Sequence, residues 1–404
     1  MQLPPARPIS QEEVQASAFT ALGLREQLVK AVLQEGYDTP TPIQAQTIPH
    51  LLAKRDLLGS AQTGTGKTAA FVLPLLQNLA ATTVGLGAVN PGAVALNAAP
   101  SRTAHKVRAL ILAPTRELAG QISERTAVYG RHLGIGHAVI YGGVSQHRQE
   151  RDLARKPQVL IATPGRLIDL MEQRLIDLSA VEIFVLDEAD TMLDMGFIHA
   201  VRRIVSLIPA QRQTLLFSAT MPQSIEKLAR SVLRNPIRVS VAPVASTADL
   251  IDQAVCFVSQ ADKRALLEQM LLSMGIERAL VFTRTKHGAN RVSEQLRRAG
   301  IEAGAIHGNK SQAARERALG QFRDGRMPVL VATDVAARGI DVEGISHVIN
   351  FDLPNVPEAY VHRIGRTGRA GASGRAISFC DRSERGLLQD IERLIRKPIP
   401  VMPA

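Results

Sequence analysis

The feature that most restricts this chain is a rhythm of short apolar, β-branched runs separated by helical stretches. In the first part the runs are Arg55–Ser60, Arg108–Ala113, His137–Tyr141, Gln158–Ala162, Glu182–Leu186, Thr214–Ser218 and Ile237–Val241. In the second they are Gln253–Val258, Arg278–Thr283, Glu302–Ile306, Pro328–Ala332, His347–Asn350 and Arg375–Phe379. Helical patterns of about ten residues or more separate most of them, which predicts βαβ units, parallel sheets and helices on both faces of each sheet. Such crossovers are right-handed, and their ligands sit beyond the carboxyl ends of the strands. The rhythm breaks at Val241-Ala-Pro-Val-Ala-Ser-Thr-Ala248, which has neither a helical nor a strand period. Residues 242–248 therefore read as a linker between two domains, 1–241 and 249–404. A length of 404 residues accommodates that division, since a domain takes roughly 100–200 residues.

Thr82 to Lys106 departs from the pattern. It is rich in Ala, Gly, Pro and Asn and has no amphipathic period. Structureless stretches of this length in a compact domain are functional or disordered, and the expectation here is a mobile surface insertion.

Charge narrows the partners. Lys and Arg number 48 against 37 Asp and Glu, a net charge of +11. Residues 1–244 carry 25 and 19 of these, and residues 245–404 carry 23 and 18, so the excess is +6 and +5. A polyanion, if bound, is expected across both halves and not on a basic tail. With no Trp and 3% aromatics, contacts to a phosphate backbone are expected over base stacking. No run of 18 apolar residues occurs, and the first ten residues lack the apolar centre of a secretory signal, so no membrane partner is expected. Cys256 and Cys380 are the only cysteines; they exclude a disulfide scaffold or Cys-built zinc site, fit a cytoplasmic protein, and read as buried, inert thiols.

Ala61-Gln62-Thr63-Gly64-Thr65-Gly66-Lys67-Thr68 follows a strand pattern and opens a helical one. Gly64 and Gly66 allow the bend that turns backbone N–H groups onto an anion, and the helix N-terminus adds donors and dipole. Lys67 would reach the β- and γ-phosphates of a nucleotide, and the Thr68 hydroxyl would ligate Mg²⁺. The general phosphate-loop pattern has Gly where this chain has Ala61. A glycine-rich turn that binds nothing is the competing reading.

Asp187-Glu188-Ala189-Asp190 ends another strand run. Alone it also suits a helix start, where acids complement the dipole. Paired with the lysine loop, Asp187 would hold Mg²⁺ through water, and Glu188 would orient and deprotonate an attacking water. His362-Arg-Ile-Gly-Arg-Thr-Gly-Arg369 is the densest cationic cluster. Its arginines suit the charge of a phosphoryl-transfer transition state or, alternatively, the phosphates of a nucleic acid.

These motifs, in this order, resemble those of the DEAD-box ATP-dependent RNA helicases, and most closely the bacterial RhlE-type subgroup. The resemblance runs from Phe19 to about Lys397 and also rests on Gly36-Tyr-Asp-Thr-Pro-Thr-Pro-Ile-Gln44, Pro114-Thr-Arg-Glu-Leu-Ala119, Gly142-Gly143 and Thr163-Pro-Gly-Arg166. Ser218-Ala-Thr220, Val281-Phe-Thr-Arg-Thr-Lys286 and Ala332-Thr-Asp-Val-Ala-Ala-Arg-Gly-Ile-Asp341 complete it. Ala61 is the usual residue in that family.

The resemblance implies two RecA-like domains of the P-loop NTPase type. Gln44 would read the adenine edge of ATP, with Thr39 and Tyr37 beside it and Phe19 packing upstream. Gly339 and Asp341 would approach the nucleotide from the second domain, and Arg366 and Arg369 would be the arginine fingers. Thr115, Arg116, Gly143, Thr163 and Arg166 would serve RNA in the first domain, and Arg284, Thr333 and Asp334 in the second. Ser218, Thr220, Asp190 and His362 would couple the two sites. These residue types suit phosphate and 2′-OH contact without base readout. The implied activity is RNA-stimulated ATP hydrolysis that closes two lobes and opens short duplexes or remodels RNA–protein complexes, with an ATP-gated RNA clamp as the alternative. A monomeric core is expected, with protein partners from ribosome assembly or RNA decay. No basic tail follows Arg369 in this sequence, so weak substrate preference is expected.

Met192, Met195 and Phe197 are expected to seat a helix against the core. His199 and His287 have no metal-like spacing, and Arg291, Arg297 and Arg298 read as a solvated helix face.

Overall fold

The structure, a computed structural model, describes residues 7–61, 64–84, 106–240, 251–337, 342, 344–368 and 374–402. Residues 85–105 of the expected insertion and the linker 242–248 lie outside these. The chain divides into two compact units, Met1–Val241 and Ala242–Ala404.

The first unit is built on seven strands: β1 Leu57–Ser60, β2 Ala109–Leu112, β3 His137–Ile140, β4 Val159–Ala162, β5 Ile183–Leu186, β6 Gln213–Ser218 and β7 Ile237–Ser240. Their order across the sheet is β3-β4-β2-β5-β6-β1-β7. The second has six: β8 Ile251–Phe257, β9 Ala279–Phe282, β10 Ala303–Ile306, β11 Val329–Ala332, β12 His347–Asn350 and β13 Gly374–Cys380, in the order β10-β11-β9-β12-β13-β8. Every pairing of these strands is parallel.

Parallel strands covered on both faces must be apolar along their whole length. Ala-Leu-Ile-Leu of β2, Ile-Phe-Val-Leu of β5 and Ala-Leu-Val-Phe of β9 are buried at every position. Successive side chains point to opposite faces, so one strand feeds two cores. Ile111, Val185 and Leu215 join Phe19, Ile43 and Phe71 on one face of the first sheet. Leu110, Phe184 and Leu216 join Leu167 and Ile204 on the other. In the second sheet Val281, Val331 and Ile349 face one core, and Leu280, Leu330 and Val348 another. Each fully buried side chain of this size contributes roughly 1.5–3 kcal/mol, which makes the sheets rigid supports for the loops at their carboxyl ends.

Those loops are set by local signals. Thr115 caps the helix Arg116–Tyr129 by accepting from Leu118 N, and Thr285 caps Lys286–Arg298 by accepting from Gly288 N. Pro42 and Pro164 occupy first turns, where a missing N–H costs nothing. Met192 is buried in the first unit's core with Phe197 packed against it. Cys256 and Cys380 are free, buried thiols, both raised above the ordinary thiol range by burial. No helix among the described residues is long and apolar enough to cross a membrane.

Candidate active site

β1 leads into the phosphate loop, and the helix Lys67–Val84 follows it. Gly64 and Gly66 have φ of +85° and +91°, the left-handed region that glycine enters without steric cost. Gln62 and Thr63 lie outside the described residues. The side chain of Gln44 closes the loop from the neighbouring helix: its Oε1 accepts from Thr41 N at 2.9 Å, and its Nε2 donates to Gly66 O at 3.1 Å. A Cβ on Gly66 would stand 2.5 Å from that Nε2. Both ends of the Gln44 amide thus bond within the protein, each with a second N–H or lone pair left for a base edge. Tyr37 and Thr39 are exposed nearby in sequence, Ala61 is buried, and Thr65 and Thr68 are half-buried. The Tyr37 hydroxyl meets Tyr129, whose phenol burial pushes well up.

Lys67 is buried, and its Nζ has no hydrogen-bond partner among the described residues. Its charge falls instead on Asp187, just past β5. Burial raises the Asp187 carboxyl to about 6, Lys67 opposes that, and Glu188 and Asp190 add to it. Glu188 is a non-glycine residue at φ 51°, ψ 55°, a backbone conformation that costs energy. Its N–H donates to Asp187 Oδ1 at 3.0 Å. Asp190 N donates to Ser218 Oγ at 3.2 Å, and Ser218 Oγ donates to Thr220 O at 2.7 Å. Asp190 Oδ2 in turn accepts from Ala219 N and Thr220 N. The acidic edge is therefore locked to the end of β6.

A divalent cation suits this donor set. Asp187 is a crowded carboxylate with its pKa raised, Thr68 offers a hydroxyl, and a hard, strongly hydrated ion such as Mg²⁺ takes few protein ligands beside phosphate oxygens. No cluster of three or more His, Cys, Asp or Glu side chains able to hold a metal occurs among the described residues, so a metal held by protein groups alone is not the pattern.

Further along the same sheet edge, the Arg116 guanidinium lies against Gly143, whose φ is +78° and where a Cβ would collide with it. Thr115 and Thr163 are buried at the starts of the helices after β2 and β4. Arg166 pairs with Asp169 and bonds Gln146 Oε1 and Gln149 Oε1 at 3.1 and 3.4 Å.

In the second unit Arg284 follows β9. Its Nη2 donates to Glu384 Oε1 at 2.5 Å and to Leu353 O at 3.2 Å. Thr333 and Asp334 follow β11. Asp334 is committed to Arg363, through Nε at 2.5 Å and Nη2 at 2.8 Å. Arg366 is buried, with Nε donating to His362 O at 3.3 Å. Gly339, Asp341 and Arg369 lie outside the described residues.

Two family models match the chain. DEAD/DEAH box helicase covers residues 41–228, and Helicase conserved C-terminal domain covers 262–371. The ATP-dependent RNA helicase CshA of Listeria monocytogenes is 43% identical over 381 residues, 94% of this chain and 69% of that protein. The chain belongs to the DEAD-box ATP-dependent RNA helicases. CshA of Geobacillus kaustophilus is 43% identical over 386 residues, 96% of this chain and 78% of that one. Among solved structures, S. cerevisiae Dbp5 bound to RNA and ADP BeF3 is 33% identical, covers 96% of both chains and has a TM-score of 0.81. Mss116 bound to ssRNA and UDP-BeF is 25% identical, covers 99% of this chain and 81% of that one, and has a TM-score of 0.83. Both units are thus RecA-like, and the activity is that of an RNA-stimulated, ATP-hydrolysing helicase.

Two of the expected site residues are engaged within the protein. Phe19 is 1% exposed and lies in the first unit's core. Asp334 has both oxygens on Arg363. Two groups escaped the sequence reading. Arg363 sat unremarked among the arginines of its cluster, although its partner Asp334 had been singled out. Lys263, fully buried among Glu384, Asp381 and Asp352, carries no local signal, since its partners lie far along the chain.

Proposed function

We propose that this helicase binds ATP with Mg²⁺ on the phosphate loop, takes single-stranded RNA by its backbone across both units, and opens short duplexes locally without translocating along them. The observation that carries the reading is the buried ammonium of Lys67, without a hydrogen-bond partner among the described residues, beside a crowded Asp187 at a loop closed by Gln44. A nucleoside triphosphate and its cation satisfy both groups at once.

Lys67 would hold the β- and γ-phosphates, and Thr68 and Asp187 would hold the ion. Bound Mg²⁺ supplies charge neutralisation of the phosphate oxygens. Glu188, fixed by its backbone bond to Asp187, would orient the water and take its proton, a role worth roughly 10²–10⁴ in rate. Arg366 and Arg369 would stabilise the transition state from the second unit, worth roughly 10³–10⁵ where such arginines are known. A Gln44 amide that meets an adenine edge with its second N–H and second lone pair would favour ATP over GTP, because a buried amide group left unpaired is costly. The same amide holds Thr41 N and Gly66 O, so base recognition would be felt in the loop.

Thr115, Arg116, Gly143, Thr163, Arg166, Arg284 and Thr333 would meet the RNA backbone. Asp190, Ser218 and Thr220, with His362 in the second unit, would carry that event to Glu188. RNA that favours the closed arrangement must, by linkage, be bound more tightly when ATP is present. We further assign the protein to the RhlE-type subgroup on its motifs, to the cytoplasm on its cysteine usage, and to partners in ribosome assembly or RNA decay.

A displacement assay on a short RNA duplex, run beside an ATPase assay, tests this. The reading predicts strand release in step with hydrolysis. Hydrolysis and tight RNA binding without release would establish an ATP-gated clamp in its place.

A further inference from the structure

Counted from the first strand of each unit, both sheets run third, fourth, second, fifth, sixth, first, with β7 added at one edge of the first sheet. β8 is therefore the counterpart of β1, and β12 that of β5. β1 feeds the phosphate loop, and the helix after it begins at Lys67. β8 feeds Val258-Ser-Gln-Ala-Asp262, and the helix after it begins at Lys263. β5 is followed by Asp187, and β12 by Phe351 and Asp352. Lys263 Nζ stands 3.6 Å from Asp352, just as the charge of Lys67 falls on Asp187.

What meets each lysine differs. The loop before Lys263 contains no glycine, so it cannot make the turns at φ of +85° and +91° that bend the first loop. Lys67 Nζ has no hydrogen-bond partner among the described residues. Lys263 Nζ lies 2.6 Å from Glu384, 3.4 Å from Asp381 and 3.6 Å from Asp352, and it is fully buried. Carboxylates of the chain thus supply the negative charge that phosphates supply in the first unit.

Those carboxylates also reach Arg284. Glu384 divides its oxygens: Oε2 accepts from Lys263, and Oε1 from Arg284 Nη2 at 2.5 Å and Leu353 N at 3.1 Å. Asp352 does likewise, with Oδ2 accepting from Arg284 N at 2.9 Å and Oδ1 on Lys263. Arg284 stands on the wall of a cavity of about 920 Å³ at the carboxyl ends of β9 and β12, where the strand order reverses, the usual ligand position in such sheets.

We propose that Lys263 is the second unit's counterpart of the phosphate-loop lysine, satisfied by Glu384, Asp381 and Asp352 in place of a phosphate chain, and that the Lys263–Glu384 pair is a positioning pair that holds Arg284 out for RNA. This rests on the reading of Arg284 as an RNA contact. Two cations face three carboxylates. Without Lys263, the carboxylates that it neutralised pull on Arg284, whose side chain, 38% exposed, is drawn inward and away from RNA. Without the Glu384 charge, Arg284 loses its anchor.

The test is ATP hydrolysis titrated with single-stranded RNA for wild type, Arg284→Ala, Glu384→Gln, Lys263→Met and the double variant Lys263→Met/Glu384→Gln. Glu384→Gln keeps the shape and removes the charge; it decides the matter if Lys263→Met does not fold. The half-saturating RNA concentration is predicted to rise about five- to tenfold in Glu384→Gln, with kcat at saturating RNA within about twofold of wild type. The double variant is predicted to recover melting temperature relative to Lys263→Met, since both members of a buried pair are gone, while its RNA half-saturation stays raised. Wild-type half-saturation in Glu384→Gln, with Arg284→Ala raised, overturns the positioning role and leaves the Arg284 reading standing. Recovery of RNA half-saturation in the double variant overturns it too, because the effect would then be structural. An Arg284→Ala protein with wild-type half-saturation removes the Arg284 reading itself, and the proposal with it.

Discussion

Asp190 and Thr220 are joined twice: Asp190 Oδ2 accepts from the Thr220 backbone N at 2.8 Å and from its Oγ1 at 3.0 Å. The same oxygen accepts from Ala219 N at 3.1 Å. One carboxylate oxygen thus ties the turn after β6 to the helix that begins next to Glu188, which gives the two loops a common position. Whatever moves one moves the other.

Asp190→Ala leaves those donors without their acceptor in a partly buried place. Each such loss costs about 1–3 kcal/mol, and the melting temperature is expected to fall by several degrees, with RNA-stimulated turnover falling as well. An unchanged melting curve would show that the turn holds its position without Asp190.

Lys67→Ala and Glu188→Gln separate binding from chemistry. The first removes the one buried cation at the loop, and ATP binding by fluorescence titration is expected to vanish together with hydrolysis. The second keeps the shape of the site and removes the proton acceptor. ATP and RNA binding are expected to persist while turnover drops by roughly 10²–10⁴. Wild-type turnover in Glu188→Gln would remove Glu188 from the reaction.

Gly66→Ala tests the closure of the loop by Gln44. The added methyl meets Gln44 Nε2 at 2.5 Å and Thr41 Oγ1 at 2.9 Å, at a φ of +91°. Ala at such a position costs more than about 1 kcal/mol, so ATP affinity is expected to fall by about tenfold or more, measured by calorimetry. Wild-type affinity would mean that Gln44 moves aside at no cost.

The unliganded protein is expected to lose thermal stability as pH falls from 7.5 to 5.5. His132, His137, His307 and His347 all have pKa values lowered by burial. The unfolded chain therefore takes up protons near the ordinary histidine pKa of about 6.5 before the folded one does, and stability declines through that window. Asp187, raised to about 6, acts in the opposite sense, one group against four. A melting temperature that holds or rises over this range contradicts the assignment.

The strands were legible because a parallel sheet covered on both faces demands unbroken apolar runs. Each of the thirteen runs contains or overlaps an observed strand; β8 starts two residues before its run, at Ile251, and β13 passes its run by one residue at each end. The phosphate loop and acidic edge were legible because glycine, lysine and carboxylates at fixed spacing follow a strand. Phe19, expected to pack upstream of the nucleotide, lies in the first unit's core. The Lys263 set was invisible for another reason. Lys263 and Glu384 are 121 positions apart and meet because β8 and β13 pair in the sheet, a fact of topology and not of local pattern. The pairing of Asp334 with Arg363 across 29 positions has the same origin.

The central claim is that ATP turnover by this chain answers to RNA. The direct measurement is the steady-state rate of ATP hydrolysis without nucleic acid, with single-stranded RNA and with single-stranded DNA of the same sequence, and Glu188→Gln as control. The account predicts strong stimulation by RNA, little by DNA, and no activity in the variant. A rate indifferent to RNA, in folded protein with ATP bound, or one raised equally by DNA, would contradict it.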